Sequence, residues 1–111
     1  LLYEFGDAIR SGASSAADDE ADLNKVHFKF DIYKACTEGM MKALGDSINT
    51  EEIKGLPYSA FLMTFECVII FLADYLDGDI YFKTDYENHN LVRAKNQFKL
   101  CQDMVEVFKL K

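Results

Sequence analysis

Residues 61–76 set the strongest limit on how this chain can fold. Across FLMTFECVIIFLADYL only Thr64, Glu66 and Asp74 interrupt apolar side chains. The apolar positions run almost all the way round a helical wheel, and a helix of that kind belongs in a core. Protein rather than lipid is the expected surrounding. Glu66 near the centre would be costly in a bilayer, and the run is shorter than the ~20 apolar residues a span requires. Gly78 predicts a helix stop just after Asp77. An irregular connector over 79–88 then leads to a second helix starting near 88–90.

The remaining segments read as helices and short connections. Asp7, beside Gly6, has the chemistry to cap the amides of Ala8, Ile9 and Arg10, which predicts a helix starting there. Residues 11–22 are small, polar and acidic, the composition of a mobile loop. Val26, Phe28, Phe30 and Ile32 are spaced by two, which permits a short extended stretch. The period then changes to that of a helix over 31–44, with Ile32, Cys36, Met40 and Ala43 on one face and Gly45 at its end. Asn49 and Glu52 have capping-box spacing, so a short helix is expected after them, and Pro57 is expected to start the long central helix. The last helix, about 90–108, has an apolar seam of Leu91, Ala94, Phe98, Cys101, Val105 and Phe108, and a polar stripe of Asn90, Arg93 and Gln97. Phe65, Ile69, Leu72, Phe98, Cys101 and Val105 are the expected core between the two long helices.

With 111 residues and half of them hydrophobic, the chain has enough for one small core and a single domain over 1–111. The net charge of −7 and the acidic run Asp18, Asp19, Glu20 and Asp22 speak against nucleic acid, since no basic stripe offsets them. That run is most simply a solvated loop. Cys36, Cys67 and Cys101 are odd in number and far apart, and each has apolar neighbours, so inert thiols in a reducing cytoplasm are expected. They lack zinc-ligand spacing with His27 and His89. No stretch reads as a signal peptide, and the abrupt start at Leu1 suggests a piece of a longer protein.

The stretch DYLDGDIYFKTDYENHNLVRAKNQFKL, residues 74–100, closely resembles the C-terminal region of bacterial kinases with the aminoglycoside-phosphotransferase fold. The similarity is to the branch of N-acetylhexosamine 1-kinases, sometimes labelled mucin desulfatases. The opening LLYEFGDAIRSGASSAADDEADLNKV resembles the segment after the metal-binding loop in the same proteins. The likeness implies an all-α chain, the helical C-terminal subdomain of a protein-kinase-like fold, with two long packed helices and shorter ones.

Site residues follow from that likeness. Tyr81 in GDIYFK matches the aromatic lining the sugar site, and a ring there can stack on a sugar face or simply pack the connector. Asn90 and Arg93 match HNL-x-R-A-x-N-Q, although a helix cap with a buried polar clasp explains them equally well. Asp7 matches a residue that braces the catalytic loop, or is a plain cap. Glu66, Ile70 and Asp74 stack on one helix face. Ile70 replaces the family's usual sugar-contacting Arg, which leaves Glu66 to find a partner in Arg10, Lys83 or Arg93. His89 is an acid or base only by residue type, and a satisfied structural histidine is the preferred account. The carboxylates of DYLDGD do not fit a calcium loop and read as helix-end groups in water.

Phosphoryl transfer needs a nucleotide cradle, a lysine on the phosphates, a catalytic Asp and metal-holding side chains. None appears in this sequence, so no catalytic, metal or cofactor residue is assigned. ATP and magnesium are expected for the full-length kinase, with a preceding catalytic core as partner and an amino- or N-acetylamino-sugar as acceptor. The rival expectations are a non-catalytic helical interaction domain and a degenerate kinase remnant. Because the central helix is apolar on more than one face, the isolated chain is expected to self-associate, most simply as a two-fold dimer, with no membrane partner.

Overall fold

The computed structural model describes residues 2–110, with side chains from Glu4 to Leu110. Four α-helices carry the fold: α1 (Leu2–Gly12), α2 (Phe30–Leu44), α3 (Thr50–Leu76) and α4 (His89–Phe108). Short 3-10 turns occupy Leu23–Lys25 and Gly45–Ser47, and no named strand occurs among the described residues. The all-helical expectation, with α3 and α4 as the long packed pair, is met.

α3 is the spine. The Asn49 side chain accepts from the Glu52 amide at 2.8 Å while the Glu52 carboxylate accepts from the Asn49 amide at 3.3 Å, so the capping box forms. The helix it starts does not end after two turns. It continues through Pro57 to Leu76, because Leu56 and Ala60 on either side of the proline are both fully buried. At 27 residues α3 is long and apolar enough to cross a bilayer by length and composition, longer than the sequence pattern suggested. α1 and α4 pack along one side of it. Its end is a Schellman closure: Asp79 donates to the Asp74 carbonyl at 2.8 Å and Gly78 to the Tyr75 carbonyl at 3.2 Å, with Gly78 at φ +97.

α1 begins ahead of the expected cap. Asp7 lies inside the helix, exposed, with its carboxylate 3.2 Å from Arg10 Nε. The reason is packing: Phe5, Ile9 and Ala13, four apart, form a buried stripe against α3. Gly6 sits at the crossing, where a Cβ would come within 2.6 Å of the Ser59 carbonyl oxygen. Only glycine lets the two backbones approach so closely.

The segment expected to be a mobile loop is tied down. An antiparallel bridge joins Ser14 to Phe28, and Ser15 Oγ donates to the Lys25 carbonyl at 2.6 Å and accepts from the His27 amide at 2.8 Å. Asp18, Asp19 and Asp22 stay exposed at its outer edge. α2 leaves this closed loop with Tyr33 buried and Ile32 and Met40 packed part-buried against the core, while Cys36 and Ala43 on the same face are at the surface.

The core differs from the expected one. It gathers Phe5, Ile9, Ala13, Val26, Phe28, Tyr33, Leu56, Ala60, Leu100 and Met104. Of the six residues expected between the long helices, Cys101 is buried, whereas Phe65, Ile69, Leu72, Phe98 and Val105 are exposed. α4 is rotated relative to the expected seam, because Asn90, Asn96 and Gln97 turn inward to hydrogen-bond the preceding segments and Phe98 is carried outward. Burial pushes the Cys101 thiol up to about 12, which makes it inert.

Candidate functional site

Asp74, in the last turn of α3, organises the region where the candidate residues meet. Its Oδ1 accepts from the Tyr81 amide at 2.8 Å, and its Oδ2 accepts from the Phe82 amide at 3.0 Å and from Asn90 Nδ2 at 2.7 Å. Burial acts to raise this carboxyl, but the amides of Phe82 and Tyr81 and the Asn90 side chain outweigh it and hold it below the usual carboxylate range. Asp74 is therefore a buried structural acid and not a helix-end group in water, which corrects the sequence reading of DYLDGD.

Behind Asp74 the start of α4 supplies a clasp. Asn90 also donates to Asp79 Oδ1 at 3.1 Å, and its own Oδ1 accepts from Arg93 at 2.9 Å. The Arg93 guanidinium donates to the Lys83 carbonyl at 3.1 Å and lies 5.8 Å from the centre of the Phe71 ring. His89 is buried, stacked on Tyr86, and its Nδ1 accepts from the Asp85 amide at 3.1 Å. That leaves the proton on Nε2, 3.2 Å from Asp19 Oδ2. Asn96 donates to the carbonyls of Ala17 and Glu20, and Gln97 links Asn96 to Arg10. Every polar side chain of HNLVRAKNQ that is buried thus fixes a neighbouring segment.

The clasp presents one aromatic ring. With its amide held by Asp74, Tyr81 keeps its side chain 82% exposed, edge-on to Phe82 at 4.9 Å. The ring stands at an open cleft of about 570 Å3 lined by Ile69, Ile70, Ala73, Asp74, Asp77, Tyr81 and Phe82. The walls are apolar and Asp77 brings a carboxylate not used by a side-chain hydrogen bond. A ring face beside an acceptor suits a ligand with both a C–H face and hydroxyl or amino groups.

Tyr81 and Ile70 therefore share one cleft. Glu66, one turn earlier, is exposed and does not line it, and in water it needs no counter-charge. Two of its three suggested partners are engaged elsewhere: Arg10 with Asp7 and Gln97, and Arg93 with Asn90 and the Lys83 carbonyl. Asn90 and Arg93 support the cleft from behind, and Asp7 on α1 is not part of it. Reasoning from the sequence missed Asp74 and the inward turn of Asn96 and Gln97. The available signal was an acid four residues before the chain-reversing Gly78, followed by amides free to reach back.

Among the described residues no three His, Cys, Asp or Glu side chains converge as a metal would need. With no glycine-rich turn to cradle phosphates, the residues present do not fit magnesium and ATP, and no phosphoryl-transfer step can be written on them. No protein-family model matches the chain.

Proposed function

We propose that this chain forms the acceptor-binding wall of a sugar phosphotransferase, with an amino- or N-acetylamino-sugar resting against Tyr81 over the cleft beside Ile70 and Asp77. One observation carries the proposal: a carboxylate and a clasp of buried amides are used to hold the Tyr81–Phe82 backbone while the Tyr81 ring is left open to solvent. A connector needing only to be packed would bury that ring. The resemblance of residues 74–100 to N-acetylhexosamine kinases supports the same assignment. Nucleotide, magnesium and the catalytic groups would be supplied by other parts of such a kinase, in a reducing cytoplasm suited to the unpaired thiols Cys36, Cys67 and Cys101.

The test is saturation-transfer NMR on the chain with N-acetylgalactosamine, glucosamine and glucose as ligands. Transfer to an amino- or N-acetylamino-sugar that disappears in Tyr81→Ala supports the proposal, and equal transfer in wild type and variant removes it. Ile70→Arg is the companion. If the family's usual sugar contact was lost at this position, restoring it strengthens binding of an N-acetylhexosamine. Weaker binding would mean that the cleft is built for another acceptor.

A further inference from the structure

The outward face of α3 carries a second, unassigned surface. Tyr58, Leu62, Phe65, Ile69, Leu72 and Leu76 are all exposed, and their spacing alternates steps of four and three over 58–76. That is the heptad repeat of a helix that packs its seam against another helix, and the six form one unbroken line opposite the buried side of α3. Leu62 is 60% and Leu76 74% exposed. Beside the line lies a groove of about 280 Å3 between α3 and α4, bounded by Leu72 and Phe98 and lined otherwise by apolar side chains and the stem of Lys95. One face thus offers both a ridge of knobs and a hollow to receive them.

We propose that this seam is a two-fold interface with a second copy of the chain, α3 packing on α3. The area is sufficient: at roughly 100 Å2 for each half-exposed large apolar side chain, the six residues and Phe98 offer about 700 Å2 per copy. Two copies would bury about 1,400 Å2, within the range of stable specific dimers. The chemistry is self-complementary. No seam residue is charged, and the charges at its margins are of both signs, Glu66 and Asp77 against Lys54 and Lys95, so nothing in the line selects a partner of opposite sign. A lipid surface fits less well. No Lys or Arg occurs on α3 after Lys54, Lys95 is the one basic residue lining the groove beside it, and the chain carries a net charge of −7, whereas helices lying on membranes border their apolar face with several basic residues. The seam meets the Tyr81 cleft at Ile69, which lines both, whereas Leu62 and Phe65 lie outside the cleft, so a change at Leu62 tests the interface without touching the sugar assignment.

Analytical ultracentrifugation of the intact chain at low to tens of micromolar tests it. The expected result is a monomer–dimer equilibrium that Leu62→Glu weakens at least about tenfold, since a two-fold axis places two new charges in one apolar seam. Leu62→Glu must keep the wild-type far-ultraviolet circular dichroism and cooperative melting, as an exposed position allows. Should that variant misfold, Leu62→Cys in a Cys36→Ser background under mild oxidation is the second measurement, since Cys36 is itself exposed: a disulfide-linked dimer across the seam supports the interface, while Lys34→Cys on α2 in the same background gives none. A wild-type chain that stays monomeric at tens of micromolar overturns the proposal. So does a dimer unaffected by Leu62→Glu, or association only with phosphatidylcholine–phosphatidylglycerol vesicles.

Discussion

The two long helices distribute polarity in opposite ways. α4 buries His89, Asn90, Asn96 and Gln97, while α3 exposes Leu62, Phe65, Ile69, Leu72 and Leu76. The difference lies in what each residue meets. The buried polar groups of α4 come with partners fixed by the fold, and a satisfied amide inside a protein costs little. The apolar line of α3 has no partner within the chain. Polarity alone therefore does not say which side of a helix faces in. The inward side is the one whose groups, polar or not, find complements among the segments nearby.

The sharpest way to break this comparison is to truncate one apolar residue on each side. Leu100→Ala, at a fully buried site, should cost about 2–5 kcal/mol. Phe98→Ala, at a ring 48% exposed, should cost under about 1.5 kcal/mol when measured at concentrations where the chain is monomeric. Chemical denaturation reads both, and equal losses would mean that α4 sits in the register expected from its apolar seam. Next in size is Gly6→Ala. The new methyl would press on the Ser59 carbonyl and on Ser59 Oγ, so α1 must shift off α3 at about 1–3 kcal/mol. An unchanged melting temperature would show that the crossing is looser than described.

These expectations also mark what the sequence made legible. The helix expected over 31–44 and found over 30–44, the Asn49 capping box and the Gly78 stop were all readable, because each depends on groups within a few residues of one another. The start of α1, the passage through Pro57 and the rotation of α4 were not. Each is decided by a contact made elsewhere in the fold: Gly6 against Ser59, Leu56 in the core, and Asn96 with the carbonyls of Ala17 and Glu20. At the cleft, Tyr81 and Ile70 were singled out by resemblance and do meet. Glu66 was expected to need a partner because a helix apolar nearly all round belongs in a core, whereas the side of α3 that carries Glu66 is open to water.

Smaller effects sharpen the polar half of the comparison. Asp74 has its carboxyl held below the ordinary value of 3.8, so its hydrogen bonds stabilise the fold fully above that value, and this contribution is lost as pH falls through the lower folded value. Denaturation midpoints measured from neutral pH downward should decline below about pH 4, and Asp74→Asn, already weakened at neutral pH, should flatten that decline. A variant as acid-sensitive as wild type would move the cause to another carboxylate. The smallest effect belongs to Glu66→Gln, which should change stability by less than about 0.5 kcal/mol because an exposed carboxylate needs no partner. A larger loss at low concentration would restore the buried charge expected from the sequence.

The sequence distances spanned by the clasp set an order of assembly. Asp74 reaches the Phe82 amide across 8 residues and Asn90 across 16, whereas Asn96 reaches Ala17 across 79 and His89 reaches Asp19 across 70. Short loops close with less entropy lost, so α3, its connector and α4 can zip into a hairpin before the closed loop over 14–28 docks on it. Unfolding should retrace this path from the other end. In hydrogen exchange, the amides of Ser15 and His27 should trade protons through a smaller opening than those of Tyr81 and Phe82. Equal protection at the two places would make the whole chain a single cooperative unit.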